Sequence, residues 1–315
     1  MITYGVQIEP QFGYNFEDIK NIVQTAEKNN FSHAWFSDHF LLQADSKDLE
    51  CQECITAMMA AVSYTSTLRI GPLVLCNNYR HPAVLAKQFA GLDHFSKGRM
   101  EFGYGTGWKE LEYNAYGIEF PEGKRRMAQF IEALQVIKKL WTEDFPNYEG
   151  KYYSLKEAVS FPKPYQKPHP TIWIGVGGGK HKILDVTAQY GEGINFVWAI
   201  SPEDLKEKLD TFDGLVEKHN RSPKDIRRSY GAFTSIYSDV ETKKKEMKKM
   251  AEERKISLEE MEKRIESALH GTSEEIVEKI RAYRKIGIEH MIFMFPHKQE
   301  VEQIKFFAEN IASKI

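Results

Sequence analysis

The chain has 315 residues, with 43 Lys+Arg against 45 Asp+Glu for a formal charge of −2, and 42% of it is hydrophobic. That is ample material for a core, and the charge balance excludes a dedicated nucleic-acid binder, which carries a clustered basic excess. No run approaches the roughly 18 apolar residues that span a bilayer, and MITYGVQIEP lacks the basic-then-apolar pattern of a secretory signal, so no membrane association and a cytoplasmic location are expected.

The periodicity alternates along the chain. YGVQI (4–8) reads as a strand, and FEDIKNIVQTAEKN (16–29) carries apolar residues at helical spacing. HAWFS (33–37) is the second strand, followed by an Ala- and Met-rich helix over 51–66. LRIGPLVL (68–75) is the third strand, and PAVLAKQFAGLDHFS (82–96) is a helix with Pro82 in its first turn. MEFGYG (100–105) is the fourth strand, and RRMAQFIEALQVIKKLW (125–141) a long amphipathic helix. A polar, Pro-rich excursion over 142–170 is too long for a simple connection. TIWIGV (171–176), GINFV (193–197), RRSYGAFTSIY (227–237) and HMIFMF (290–295) are the remaining strands, with helices over 181–191, 202–220, 273–287 and 298–312. The segment 239–270 carries both charge signs at i,i+4 spacing, the mark of a solvated helix face; a mobile lid is the other reading.

Eight strand-then-helix units imply a parallel sheet. At this chain length they predict an α/β protein with a closed (β/α)8 TIM barrel and insertions after strands 4 and 7. No composition shift marks a lobe boundary, so residues 1–315 are expected to form one domain, against an open doubly wound sheet in two lobes. Three cysteines, Cys51, Cys54 and Cys76, fit a reducing compartment. The CxxC spacing of Cys51 and Cys54 has no second ligand pair and opens a helix, so it reads as structural ahead of redox or zinc.

In such barrels chemistry sits at the C-terminal ends of the strands. Those ends carry Gln7 and Glu9, then Asp38 and His39, then Cys76 through His81, then GYGTGW (103–108), then GVGGGK (175–180), then Asn195. In GVGGGK the glycines fall between a strand and a helix start, where backbone can approach a ligand closely and unpaired N–H groups suit an anion. A phosphate at Gly177, Gly178 and Gly179 is therefore expected, with Lys180 as an added cation, although the segment is neither a Walker A nor a G-x-G-x-x-G motif. Two glycine turns on neighbouring strand ends suggest a large, flat, phosphorylated ligand across the barrel mouth. Adjacent strand residues point to opposite faces, so only one of Asp38 and His39 faces that ligand; an imidazole there exchanges a proton near neutral pH. The histidines lack metal-ligand spacing, and no metal is expected.

The chain resembles the luciferase-like flavin- or deazaflavin-dependent (β/α)8 oxidoreductases. The resemblance rests on FSDHF (36–40), LRIGPLVLCNNYRHPAVLAKQFAGLDHFSKGRMEFGYGTGW (68–108), EYNAYGIEF (112–120), EGKYYSL (149–155) and PKPYQKPHPTIWIGVGGGKHKILDVTAQYGEGINF (162–196), and runs to the last strand. It implies a flavin or deazaflavin over the strand ends, its phosphate at Gly177–Gly179. It also implies contacts from Thr106 and Gly107, and a bulge with a non-prolyl cis peptide at Leu73–Val74 beneath the ring. The Asp-His pair resembles the coenzyme F420-dependent branch. That implies His39 as the residue that protonates or polarises substrate while hydride passes, and Asp38 as the group that orients the imidazole or contacts the cofactor. In sugar-phosphate dehydrogenases of that branch an acidic residue follows the fourth-strand GTG, and a Trp closely follows Asp-His. Here Trp108 follows GTG, and Leu41, Leu42 and Gln43 follow Phe40, which speaks against a glucose-6-phosphate-like substrate.

Three functions are thus weighed: an F420-dependent oxidoreductase acting on a small organic molecule, an FMN-dependent monooxygenase fed by a separate reductase, and a non-catalytic flavin-binding protein. The first leads. The resemblance also implies a homodimer.

Overall fold

Inside a narrow parallel barrel, large side chains need glycines opposite them, and this sequence supplies both. Trp35 and Trp173 are wholly buried within the ring of strands. A Cβ added at Gly5 or Gly71 would press on the Trp35 indole at 2.8–2.9 Å, and one at Gly193 would overlap Trp173. With Leu73 and Ile292 these indoles form an inner core separate from the larger one between strands and helices.

The computed structural model describes residues 2–315. Its barrel strands are β1 (Thr3–Ile8), β2 (His33–Phe36), β3 (Arg69–Pro72), β4 (Leu75–Cys76) and β5 (Phe102–Gly105). After a two-stranded hairpin of β6 (Tyr148–Glu149) and β7 (Ser154–Leu155) come β8 (Ile172–Gly177), β9 (Gly193–Trp198) and β10 (Arg227–Tyr237). A short β11 (Leu269–Thr272) precedes β12 (His290–Met294). Neighbours run β3-β2-β1-β12-β10-β9-β8-β5-β4, all parallel. Since β3 and β4 are consecutive in the chain, they are two halves of one wall, and an Ile70–Met100 bridge helps close the ring. The result is the eight-walled TIM barrel that the alternation predicts.

The helices are α1 (Phe16–Lys28), α2 (Cys54–Tyr64), α3 (Pro82–Phe95), α4 (Glu110–Ala115), α5 (Gly123–Thr142), α6 (His181–Tyr190), α7 (Pro202–Lys218), α8 (Val240–Arg254), α9 (Leu258–Ile265), α10 (Ser273–Lys285) and α11 (Glu300–Asn310). α1 shows why they form and dock. Asn15 and Asp18 make a reciprocal capping box, and Ile19, Ile22, Val23 and Ala26 bury one face.

The excursion over 142–170 contains the β6–β7 hairpin. The charged segment after β10 folds as α8 and α9, which close on a small core of Met247, Ala251 and Met261. β11 then pairs with the outer half of β10. None of residues 239–270 lines the cavity at the barrel mouth.

At the opposite end of the barrel lies a buried polar network. Glu101 accepts from Arg69 Nε at 2.5 Å and from Trp173 Nε1 at 2.7 Å, and Trp35 Nε1 donates to His290 Nε2 at 2.9 Å. Burial would raise the Glu101 carboxyl. The His33 contact and the charges of Arg69 and Arg227 outweigh it and hold the group at about 2.

Candidate active site

The C-terminal ends of the strands enclose a cavity of about 500 Å³, within the range of small-molecule sites. Its wall is built at the break between β3 and β4. There the Leu73–Val74 peptide is cis, as is Val197–Trp198 at the end of β9. Val74 lies in a slot that only glycines leave open, since a Cβ at Gly105 would come within 2.6 Å of it and one at Gly175 within 3.0 Å. Leu73 touches the inner core from the same break. Leu73, Val74, Leu75, Gly105, Thr106 and Gly107 line this side of the cavity. Gly107 has φ +74°, and a Cβ there would overlap the Tyr113 hydroxyl.

Beside this surface, β8, the strand paired with β5, ends at Gly177, and α6 begins at His181. Gly177 and Gly179 have φ of +55° and +73°. A Cβ at Gly177 or Gly178 would meet nothing within 4 Å, so the turn leaves an open cradle. α6 has no side-chain cap and no acidic residue in its first turn, which leaves its N-terminal N–H groups and partial positive charge for an anion. A flat ring with an anionic tail fits this pair of features: the ring on the Leu73–Val74 surface and the tail at Gly177–Gly179.

His39 lines the cavity, and its ring is fixed from behind. Its Nδ1 lies 2.9 Å from Glu112 Oε2. The same carboxylate accepts from the Phe40 and Leu41 N–H groups at 2.9 and 3.2 Å and from the Tyr79 hydroxyl at 2.6 Å, with Lys109 Nζ 3.4 Å away. Burial would raise the Glu112 carboxyl. The bond from His39, the imidazole's charge, Tyr79 and the Leu41 N–H outweigh it, and the group sits at about 2. Glu112 is therefore anionic at neutral pH and accepts the Nδ1 proton, which makes Nε2 the free ring nitrogen. The Trp108 indole stands edge-on to the imidazole, with centroids 5.8 Å apart.

Asp38 corrects an expectation. It does not orient His39. Its carboxylate takes two bonds from Arg80, both at 2.8 Å, and a third from the Cys76 N–H at 2.9 Å, and its side chain is fully buried. Arg80 also pairs with Glu53. Asp38 ties β2 to the end of β4 and belongs to the cavity lining, while the carboxylate that orients the imidazole is Glu112.

Sequence reasoning did not find Glu112, which sits on the six-residue α4, 73 positions from His39. Nor did it find Gln11, Trp198 or Phe233 in the lining. Glu9 was noted only as a strand-end residue. It lies in the cavity wall, bonded to Gln7 and Gln11, and burial raises its carboxyl. Cys51 and Cys54 form no disulfide; burial pushes Cys51 up to about 12 and Cys54 well above the ordinary thiol range, so both remain thiols.

The model of the luciferase-like monooxygenase family matches residues 1–290. A curated F420-dependent glucose-6-phosphate dehydrogenase of Amycolatopsis mediterranei (strain U-32) is 28% identical, covering 97% of this chain and 96% of that one. An FMNH2-dependent dimethylsulfone monooxygenase of Pseudomonas putida is 29% identical over 65% of this chain and 54% of its own. Among solved structures, an F420-dependent secondary alcohol dehydrogenase in complex with an F420-acetone adduct superposes with a TM-score of 0.83 at 20% identity, covering 100% of this chain and 99% of that one. Among the described residues no helix is long and apolar enough to cross a membrane. By the extent of the family match, the chain belongs to the luciferase-like monooxygenase family and is an oxidoreductase.

Proposed function

We propose that the chain is an F420-dependent oxidoreductase that moves a hydride between the deazaflavin and a small organic substrate. The observation that carries this reading is the imidazole of His39, held at the edge of the cavity by a buried anionic carboxylate and facing a glycine-lined surface. Dehydrogenation of an alcohol, or its reverse, requires one proton to move at the substrate oxygen for each hydride that moves at carbon. His39 Nε2 takes or returns that proton, and Glu112 stabilises the ring when it is charged. Leu73, Val74, Thr106 and Gly107 would hold the ring, and Gly177, Gly178 and Gly179 the phosphate. When bound, a deazaflavin supplies the two-electron hydride chemistry. The reading takes residues 1–315 as one barrel domain working as a homodimer in the cytoplasm.

FMN is the alternative cofactor, in a monooxygenase fed by a separate reductase, and the dimethylsulfone monooxygenase relative favours it. Titration of purified protein with F420 and with FMN, followed by fluorescence, separates the two. F420 is expected to bind with micromolar or better affinity and at least about tenfold more tightly than FMN, a difference of ~1.4 kcal/mol. A preference for FMN would replace the first reading with the second.

A further inference from the structure

The charges around the cavity identify the class of molecule it accepts. Several curated relatives are glucose-6-phosphate dehydrogenases, whose substrate carries a phosphate. A phosphate taken out of water needs cations or hydrogen-bond donors free to meet it. Among the described residues the only Lys or Arg in the lining is Lys109, and its ammonium is committed. It donates to the carbonyls of Leu41 and Leu42, the latter at 2.8 Å, and lies 3.4 Å from Glu112. Arg80, the nearest buried guanidinium behind the wall, is taken up by Asp38 and Glu53. The acidic lining residues are Glu9, bonded to Gln7 and Gln11, and Asp38, paired with Arg80, with Glu112 behind His39, so no charged group here offers a phosphate a free cation.

Most of the remaining lining is apolar or aromatic, with His39 and Thr106 among its polar members. Leu42 and Trp108 flank His39, and Trp108 remains 72% exposed although its indole contacts the imidazole. Trp198, the last residue of β9, and Phe233, within β10, hold tilted rings with centroids 5.3 Å apart, and Phe233 is 41% exposed. Large aromatic surface left bare inside a cavity marks a surface that a ligand covers.

We propose that this site selects an uncharged alcohol or carbonyl compound with hydrocarbon substituents and rejects phosphorylated sugars, and that Trp108 is a specificity-determining residue. This rests on the oxidoreductase reading above. The hydroxyl or carbonyl oxygen meets His39, and the hydrocarbon flanks lie on Trp108, Leu42 and the Trp198–Phe233 pair.

The test begins with F420 affinity, read by the coenzyme's own fluorescence, so that the cofactor reading is judged separately. Binding of cyclohexanol, cyclohexanone and glucose 6-phosphate is then followed by tryptophan fluorescence, with and without coenzyme, and kcat/KM is measured for the same compounds. Cyclohexanol or cyclohexanone is expected to exceed glucose 6-phosphate by roughly 100-fold or more, the scale set by leaving a charge unpaired. Trp108→Ala is expected to raise KM for the cyclic compound about tenfold, as lost apolar contact does, with F420 affinity and thermal midpoint unchanged. Trp108→Phe should restore most of the loss. Glucose 6-phosphate binding or turning over within tenfold of the cyclic compounds would overturn the proposal. So would the absence of binding and turnover with any uncharged compound in protein that holds F420, or an unchanged KM in Trp108→Ala. If F420 itself fails to bind, the cofactor reading falls, while the comparison of uncharged and phosphorylated ligands still decides this one.

Discussion

His39 and Glu112 are separable by substitution because they fail differently. His39→Ala removes the proton-handling group, and kcat is expected to fall by about 10²–10⁴, with the dissociation constant for F420 within about twofold of wild type. Glu112→Gln keeps a hydrogen-bond acceptor but removes the negative charge behind the ring. Its kcat is expected to fall by a smaller factor, about 10–10², as for other groups that orient a functional imidazole. Glu112→Ala adds a stability loss, since the N–H groups of Phe40 and Leu41 lose their partner inside the protein. Single-turnover kinetics beside equilibrium titration checks all three; a Glu112→Gln enzyme with wild-type kcat would remove the carboxylate from the mechanism. At this scale the sequence was half legible. FSDHF marks His39 because strand position and residue type suffice. The partners of His39 and Asp38 were hidden because both are contacts across tens of residues, and an acidic residue in a one-turn helix looks like any solvated one.

The turn between β8 and α6 belongs to the next scale. Gly178 has open space around its Cβ position and no positive φ. Gly178→Leu is therefore expected to leave the urea midpoint almost unchanged, within about 0.5 kcal/mol, while filling the cradle and weakening F420 at least about tenfold. Equal affinity in this variant would move the anionic tail away from the turn. Gly107→Ala provides the contrast: φ is +74° and Tyr113 stands in the way, so this substitution costs stability first. Element order was readable from period alone, since strands buried on both faces and amphipathic helices alternate without interruption. The exceptions are short or locally ambiguous. By period LRIGPLVL reads as one strand, yet it breaks at Leu73–Val74, the cis-peptide bulge that the family resemblance implied, where Val74 enters the glycine slot of β5 and β8. β6, β7 and β11 have two to four residues each, too few for a period to register.

For the whole molecule, the buried network opposite the active site couples stability to pH. The Glu101 carboxyl is held at about 2, below the 4.5 of an unperturbed glutamate. Its contribution is therefore complete above about pH 4.5 and is lost as the pH falls toward 2. Glu101→Gln is expected to cost ~3–5 kcal/mol at pH 7, since it leaves Arg69 and Arg227 facing a neutral group. Urea unfolding at pH 7 and pH 2.5 should show the gap between variant and wild type narrowing at the lower pH; a constant gap would mean that Glu101 acts by shape alone.

Leu73 has one side in the inner core with Trp35 and Trp173 and the other in the cavity wall. The two indoles thus act as a footing whose height is passed upward through one leucine. Trimming either ring would lower the shelf on which the coenzyme is proposed to rest, and with it change the separation between donor carbon and substrate, from residues outside the cavity lining.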